Sequence, residues 1–268
     1  MKTKLYLCGV MLWFGAVANA TVTIDLTAGG IATLSNGVIL DATAAATSVG
    51  TGVIDSFDRI QGNTTTESGY NTDANNVLDN KGGIFTHSLL VSGLDTTTKP
   101  GYYTFLLDIN QTGDLPLLSL DQIQFYTATT GTVNHTPTPA GGSGVTGPIY
   151  DFVASTTTAV CTNGAVCTAG GANVIKLNYS LNSGSGNGFD MFLYVPVGLL
   201  GSLNQSSFFY LYSAFGGLGG VYSTNDGFEE WARINATGQV GVPEPVTSGL
   251  IGTGLISLFL LRRRAQKG

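Results

Sequence analysis

Met191-Phe192-Leu193-Tyr194-Val195-Pro196-Val197, followed after a break by Phe208-Phe209-Tyr210-Leu211-Tyr212-Ser213-Ala214, carries the reading of the fold. Both runs concentrate aromatic and β-branched residues, which suit a pleated, half-buried surface. The same texture appears outward from them in Val53–Ile60, where alternation is imperfect, and in Phe85–Leu94, Tyr102–Ile109, Leu117–Thr127 and Val174–Leu181. Turn-forming residues separate the runs: Ser35-Asn36-Gly37, Asn80–Gly83, Gly141–Gly144, Asn182–Gly188 and Gly216–Gly220. No segment offers a long amphipathic helix. Roughly ten short strands with one apolar face each predict an all-β chain folded as a jelly-roll-like β-sandwich. A division into two domains at the Pro/Gly-rich stretch His135–Pro148 is the second possibility.

Composition agrees with strands and turns. Of 268 residues 38 are Gly, and only 10% are charged, against about 25% in an ordinary globular chain. An apolar content of 43% is enough for a packed core and excludes global disorder. The net charge is −6, and the basic residues gather at the two ends. Between Thr21 and Val242 sixteen acidic residues face only Arg59, Lys81, Lys99, Lys176 and Arg233, a balance of −11. Binding to nucleic acid, which needs clustered Lys and Arg, is therefore not expected.

Both ends read as addresses. Residues 1–20 place Lys2 and Lys4 before the apolar stretch Leu5–Val17 and the small-x-small site Ala18-Asn19-Ala20. That order describes a signal peptide cut by signal peptidase, with a mature start near Thr21; Cys8 leaves with it. At the other end, Pro243-Glu244-Pro245 precedes an uncharged stretch of 16 residues, Val246–Leu261, and then Arg262-Arg263-Arg264. A helix of that length measures about 24 Å against a hydrocarbon core of ~30 Å, so it spans only marginally. The arginines hold the C-terminus on the cytoplasmic side, which leaves residues 21–241 facing outward. The prolines keep an extended segment at the membrane surface.

The tripartite tail, residues 242–268, resembles the PEP-CTERM sorting signal of Gram-negative bacteria. The matching residues are Pro243, Glu244, Pro245, the short apolar helix, and Arg262, Arg263 and Arg264. The resemblance covers only about the last 25 residues. It implies passage to the inner membrane and processing there by an exosortase, a membrane-embedded cysteine transpeptidase. It further implies a destination at the cell surface or in the extracellular matrix of a biofilm, beside extracellular polysaccharide.

Two cysteines remain after signal removal. A lone close pair in an oxidising compartment predicts a disulfide between Cys161 and Cys167. The intervening Asn163-Gly164 is a strong signal for a two-residue hairpin turn. In such a ribbon Cys161 faces Val166, which puts the two cysteines on opposite faces. Disulfide and tight turn are thus expected to exclude each other, and the disulfide is the expected outcome.

Candidates for chemistry are few, and a non-enzymatic body is expected. His87 lies in a strand-like run and His135 in a Thr/Pro loop; no Gly-x-Ser-x-Gly elbow supports a hydrolase. Glu229 and Glu230 are neighbours, so on a strand they point to opposite faces and do not flank one glycosidic bond. Asp226–Trp231 reads as a solvated acidic edge, and Glu67 stands alone in a loop. The one ligand pattern is for calcium: Asp108, Asn110, Thr112 and Asp114 place oxygen-bearing side chains at alternating positions around Gly113. It resembles the start of an EF-hand loop, but Thr112 replaces an acid and position twelve is Ser119. A polar turn between two strands accounts for the same residues. Tyr70, Tyr126, Tyr150, Tyr222 and Trp231 are candidates for a sugar-binding face, with core packing the ordinary alternative. A carbohydrate-binding or glycoside-active module is accordingly the competing functional class.

Overall fold

A computed structural model of the chain describes residues 21–43, 54–155, 158–170, 173–182, 189–225 and 227–234. The signal peptide at 1–20 and the sorting tail at 242–268 lie outside these residues. Two sheets form the body. The first contains β1 (Val22–Asp25), β5 (Glu67–Tyr70), β6 (Leu89–Leu90), β8 (Leu117–Ala128), β9 (Val145–Asp151), β11 (Val166–Ala169), β12 (Val174–Asn178) and β14 (Phe208–Phe215). The second contains β2 (Ile31–Leu34), β3 (Ile39–Asp41), β4 (Ile54–Ile60), β7 (Tyr102–Asp108), β10 (Ala159–Thr162), β13 (Met191–Pro196) and β15 (Glu229–Ile234). Their orders are β11-β1-β12-β8-β14-β5, with β6 and β9 alongside, and β10-β2-β3-β13-β7-β15-β4. The described body is all-β, as expected; its one α-helical turn among the described residues is Phe152–Ser155.

Alternation decides what lies between the layers. In β13 every second residue is buried, so Met191, Leu193 and Val195 enter the core while Phe192 and Tyr194 face outward. Phe105 from β7 meets Phe125 of β8 and Phe209 of β14 at 5.4 and 5.5 Å between ring centres, an aromatic knot joining the sheets. Trp231 of β15 is fully buried, and its indole N–H donates to Ser213 Oγ of β14 at 3.0 Å, pairing a polar atom across the interior. A second cluster, Tyr70, Tyr126, Tyr210 and Tyr212, covers the outer face of the first sheet. The Tyr70 hydroxyl donates to the His135 carbonyl and the Tyr210 hydroxyl to that of Thr130, so the loop carrying these carbonyls is bonded to the tyrosines.

Several local expectations change. Phe85–Leu94 gives only the two-residue β6 before turning into a 3-10 helix at Val91–Gly93, because only Leu89 and Leu90 pair with β14. Glu229–Trp231 is not a solvated edge. It opens β15, an inner strand with β7 on one side and β4 on the other, and Glu229 is 1% exposed.

The disulfide between Cys161 and Cys167 is present, with Cα atoms 5.5 Å apart. So is the tight turn: Asn163 and Gly164 both have positive φ, 55° and 102°, and Ala165 N–H donates to the Thr162 carbonyl at 3.1 Å. The expected exclusion between the two fails. It assumed that both arms continue as one ribbon, whereas β10 joins β2 in the second sheet and β11 joins β1 in the first. Cys161 sits opposite Ala32 and Cys167 opposite Ile24, each packed on the core, and the bridge links an edge strand of one layer to an edge strand of the other. Gly30 makes room for this tip: a Cβ there would lie 2.2 Å from Ala165 N.

Candidate functional site

Acidic side chains gather where β4 and β7 run out and β5 and β15 begin. Glu230 stands opposite both Arg59 of β4 and Asp108 of β7. Arg59 Nε and Nη2 approach Glu230 Oε2 at 2.6 and 2.5 Å, while the guanidinium lies between the rings of Phe85 and Phe228, 3.6 and 4.0 Å from their centres. Such stacking shields the pair from water, where an exposed one would contribute little.

Asp190, just before β13, accepts the Ile109 N–H at 2.8 Å through Oδ2 and hydrogen-bonds the Asp108 carboxyl. Burial pushes Asp190 up to about 8, with the neighbouring Asp108 charge adding to the rise. Burial and the nearby Glu230 raise Asp108 to about 6. Two hydrogen-bonded carboxyl groups cannot both ionise cheaply, which favours holding one proton between them. Glu229 turns the other way and accepts from Gln111 Nε2 at 2.7 Å. Asp58, opposite Trp231, has neither oxygen hydrogen-bonded among the described residues, and full burial drives its carboxyl well above the usual range.

Beside this cluster lies a polar cavity of about 280 Å³ between the segment leaving β4 and the segment entering β15. Glu67 lines it, 6% exposed, at the first position of β5. Its Oε2 accepts the Gly62 N–H at 2.6 Å, while its buried Oε1 has no partner among the described residues. Burial lifts the carboxyl to about 7; the Gly62 N–H pulls down, Asp79 pushes up and Lys81 pulls down again. The rim is tied in place. Thr224 N and Oγ1 donate to the carbonyls of Thr65 and Thr64 at 3.0 and 2.8 Å. The Asn225 amide bonds the Thr112 N–H and the Leu115 carbonyl, both at 2.8 Å.

The calcium pattern is only partly drawn together. Asp108 turns to Asp190, Asn110 packs beneath Gly227, the Thr112 N–H is held by Asn225, and Asp114 is exposed in the following turn. Among the described residues no three or more His, Cys, Asp or Glu side chains are grouped to hold a metal ion. Of the aromatic candidates, Tyr70, Tyr126, Tyr150 and Trp231 are buried, and Tyr222 is half-buried under Lys176. On the outer face of the second sheet Phe192 stacks on Tyr194, Tyr102 meets Tyr194 edge to face, and Lys99 lies over Tyr102 and Tyr194, so these rings pack on one another instead of presenting a flat platform.

His87 has a structural position. Its Nδ1 and Nε2 lie 3.0 and 3.1 Å from the Ser88 and Ser56 carbonyls, which only accept, so it is the doubly protonated ring that donates to both. Asp55 lies 3.4 Å away and also receives Arg233 Nε and Nη2. The hydrogen bond to Asp55, against burial, raises the imidazole pKa. The sorting residues Pro243, Glu244, Pro245 and Arg262–Arg264 lie outside the described residues.

No family model, no curated protein and no solved structure matches this chain.

Proposed function

We propose that the chain is an exported, non-enzymatic surface or extracellular-matrix protein of a Gram-negative bacterium. In this reading signal peptidase releases the N-terminus near Thr21, and an exosortase processes the tail at Pro243-Glu244-Pro245 while Arg262, Arg263 and Arg264 hold the helix in the inner membrane. The observation that carries it is the Cys161–Cys167 bridge, joining edge strands of both sheets. Such bonds persist in oxidising, extracytoplasmic compartments and are rare in the cytosol. The strongly acidic body and the tripartite tail agree with that destination. Strands distant in sequence pair side by side in each sheet, β12-β8-β14 and β13-β7-β15, which supports the finer reading of the sandwich as jelly-roll-like.

Intact-mass measurement of protein recovered from the cell surface or medium tests the proposal. The expected species begins near Thr21, ends near the Pro-Glu-Pro motif and is two hydrogens lighter than its dithiol form. Replacing the three arginines by glutamine should leave the tail uncut; unchanged maturation refutes the sorting mechanism. The polar cavity at Glu67 favours a second element of the reading, namely that the exported body contacts extracellular polysaccharide.

A further inference from the structure

We infer that the cavity beside Glu67 binds one residue of a neutral sugar through its hydroxyl groups. The inference rests on the polysaccharide-facing element of the reading above and gives it a site. Three observations support it. The volume, about 280 Å³, stands at the lower edge of the ~300–1,000 Å³ usual for small-ligand pockets, which suits a single ring and not an extended chain. The side chains lining it, Gln61, Asn63, Thr64, Glu67, Thr224 and Asn225, are all uncharged hydrogen-bonders except Glu67. The Glu67 oxygen Oε1 has no partner among the described residues, although the residue is more than nine-tenths buried.

A buried carboxyl oxygen left unbonded costs stability, so a site keeping one gains by receiving a donor. A sugar hydroxyl is both donor and acceptor. It can donate to the Glu67 carboxylate while neighbouring hydroxyls exchange bonds with the Gln61 and Asn63 amides, which offer both N–H and C=O. No Lys or Arg is among the described lining residues, which disfavours sulfated or uronic sugars. Among the described lining residues Glu67 is the one carboxylate, and a hard divalent cation normally takes several charged oxygens. Because Thr224 and Asn225 are already bonded to neighbouring segments, the rim needs little ordering when a ligand arrives.

The test uses the exported protein as recovered and saturation-transfer NMR at pH 8, with glucose, galactose, mannose and N-acetylglucosamine as probes beside glucuronate. At least one neutral sugar should show saturable transfer and glucuronate none. Glu67→Gln, which exchanges a charged acceptor for a neutral amide, should weaken that binding roughly tenfold. Asn63→Trp, a change at an exposed position that leaves the core alone, should abolish it by filling the mouth. Absence of transfer from all four neutral sugars overturns the inference, as does transfer that both variants retain. A calcium-induced rise in melting temperature lost in Glu67→Gln, without sugar transfer, also overturns it and makes the cavity a cation site. Correct processing of both termini in the same preparation would show that such a failure belongs to the cavity and not to the export reading.

Discussion

Replacing Glu67 by glutamine should change how stability depends on pH more than stability itself. In the folded protein the carboxyl titrates at about 7, against an ordinary value of 4.5. The folded state therefore keeps its proton over an interval in which the unfolded chain has released it. Stability falls with rising pH wherever the folded state binds more protons, by ~1.36 kcal/mol per pH unit for one group. Below pH 4.5 Glu67 is neutral in both states and imposes no slope; from there to about 7 it imposes nearly the full slope; above 7 the slope ends. The accumulated loss is about 3 kcal/mol. The substituted amide keeps an acceptor for the Gly62 N–H and does not titrate. Asp58 and Asp190 have raised values too, but they are present in both proteins and cancel in the difference. Urea unfolding of both proteins from pH 4 to 8.5 gives the difference directly. It should rise in favour of the variant by about 3 kcal/mol across that range and level off above pH 7. A difference that stays flat would show that Glu67 ionises normally and that its burial carries no electrostatic cost.

Three further outcomes follow from the same structure. Converting Cys161 and Cys167 together to Ser should cost about 2 kcal/mol, since only a short loop is closed, and lower the calorimetric melting temperature by about 4–8 °C; reductant should reproduce the shift in the wild type and leave the variant unmoved. The bonds of His87 stabilise the fold fully below the ordinary imidazole value of 6.5 and are lost as pH rises through its elevated folded value. His87→Gln should accordingly destabilise at pH 5.5 and approach wild type at pH 9, and equal losses at both would refute the doubly protonated ring. For the loop carrying Asp108, Asn110, Thr112 and Asp114, melting in calcium is to be compared with melting in chelator: a binding loop requires a higher temperature with the ion, and coincident curves eliminate calcium there.

Much of the scaffold was legible because alternation and burial are coupled along single strands. β7, β8, β13 and β14 carry enough aromatic and branched residues that their pairing is the one way to hide them. The acidic end was hidden for the converse reason. Glu229 and Glu230 look like surface residues until β15 is known to run between β4 and β7, where one meets Gln111 and the other Arg59. Asp58 offered a faint signal, an acid adjoining Phe57 inside a strand pattern. A register shift between Trp231 and Ala232 lets both neighbours be buried, which strict alternation forbids. Glu67 gave no signal of its own, since its burial comes from loops that are neighbours only after folding.

The disulfide shows where local reasoning about strands stops being sufficient. From Asn163-Gly164 alone the turn is correct, and from the redox argument alone the bridge is correct; the contradiction arose from treating the hairpin as an isolated ribbon. Pairing energy is available to each arm elsewhere, with β2 and with β1, and a two-stranded ribbon by itself is only marginally stable in water. Once the arms enter different layers, the facing rule within a hairpin no longer governs them. Each cysteine then takes its orientation from its own sheet, and both sheets point their inner faces toward the same core. Two inward-pointing cysteines on opposing edge strands are therefore brought together by the sandwich itself, and the tight turn is what keeps those strands close enough for the bridge to form.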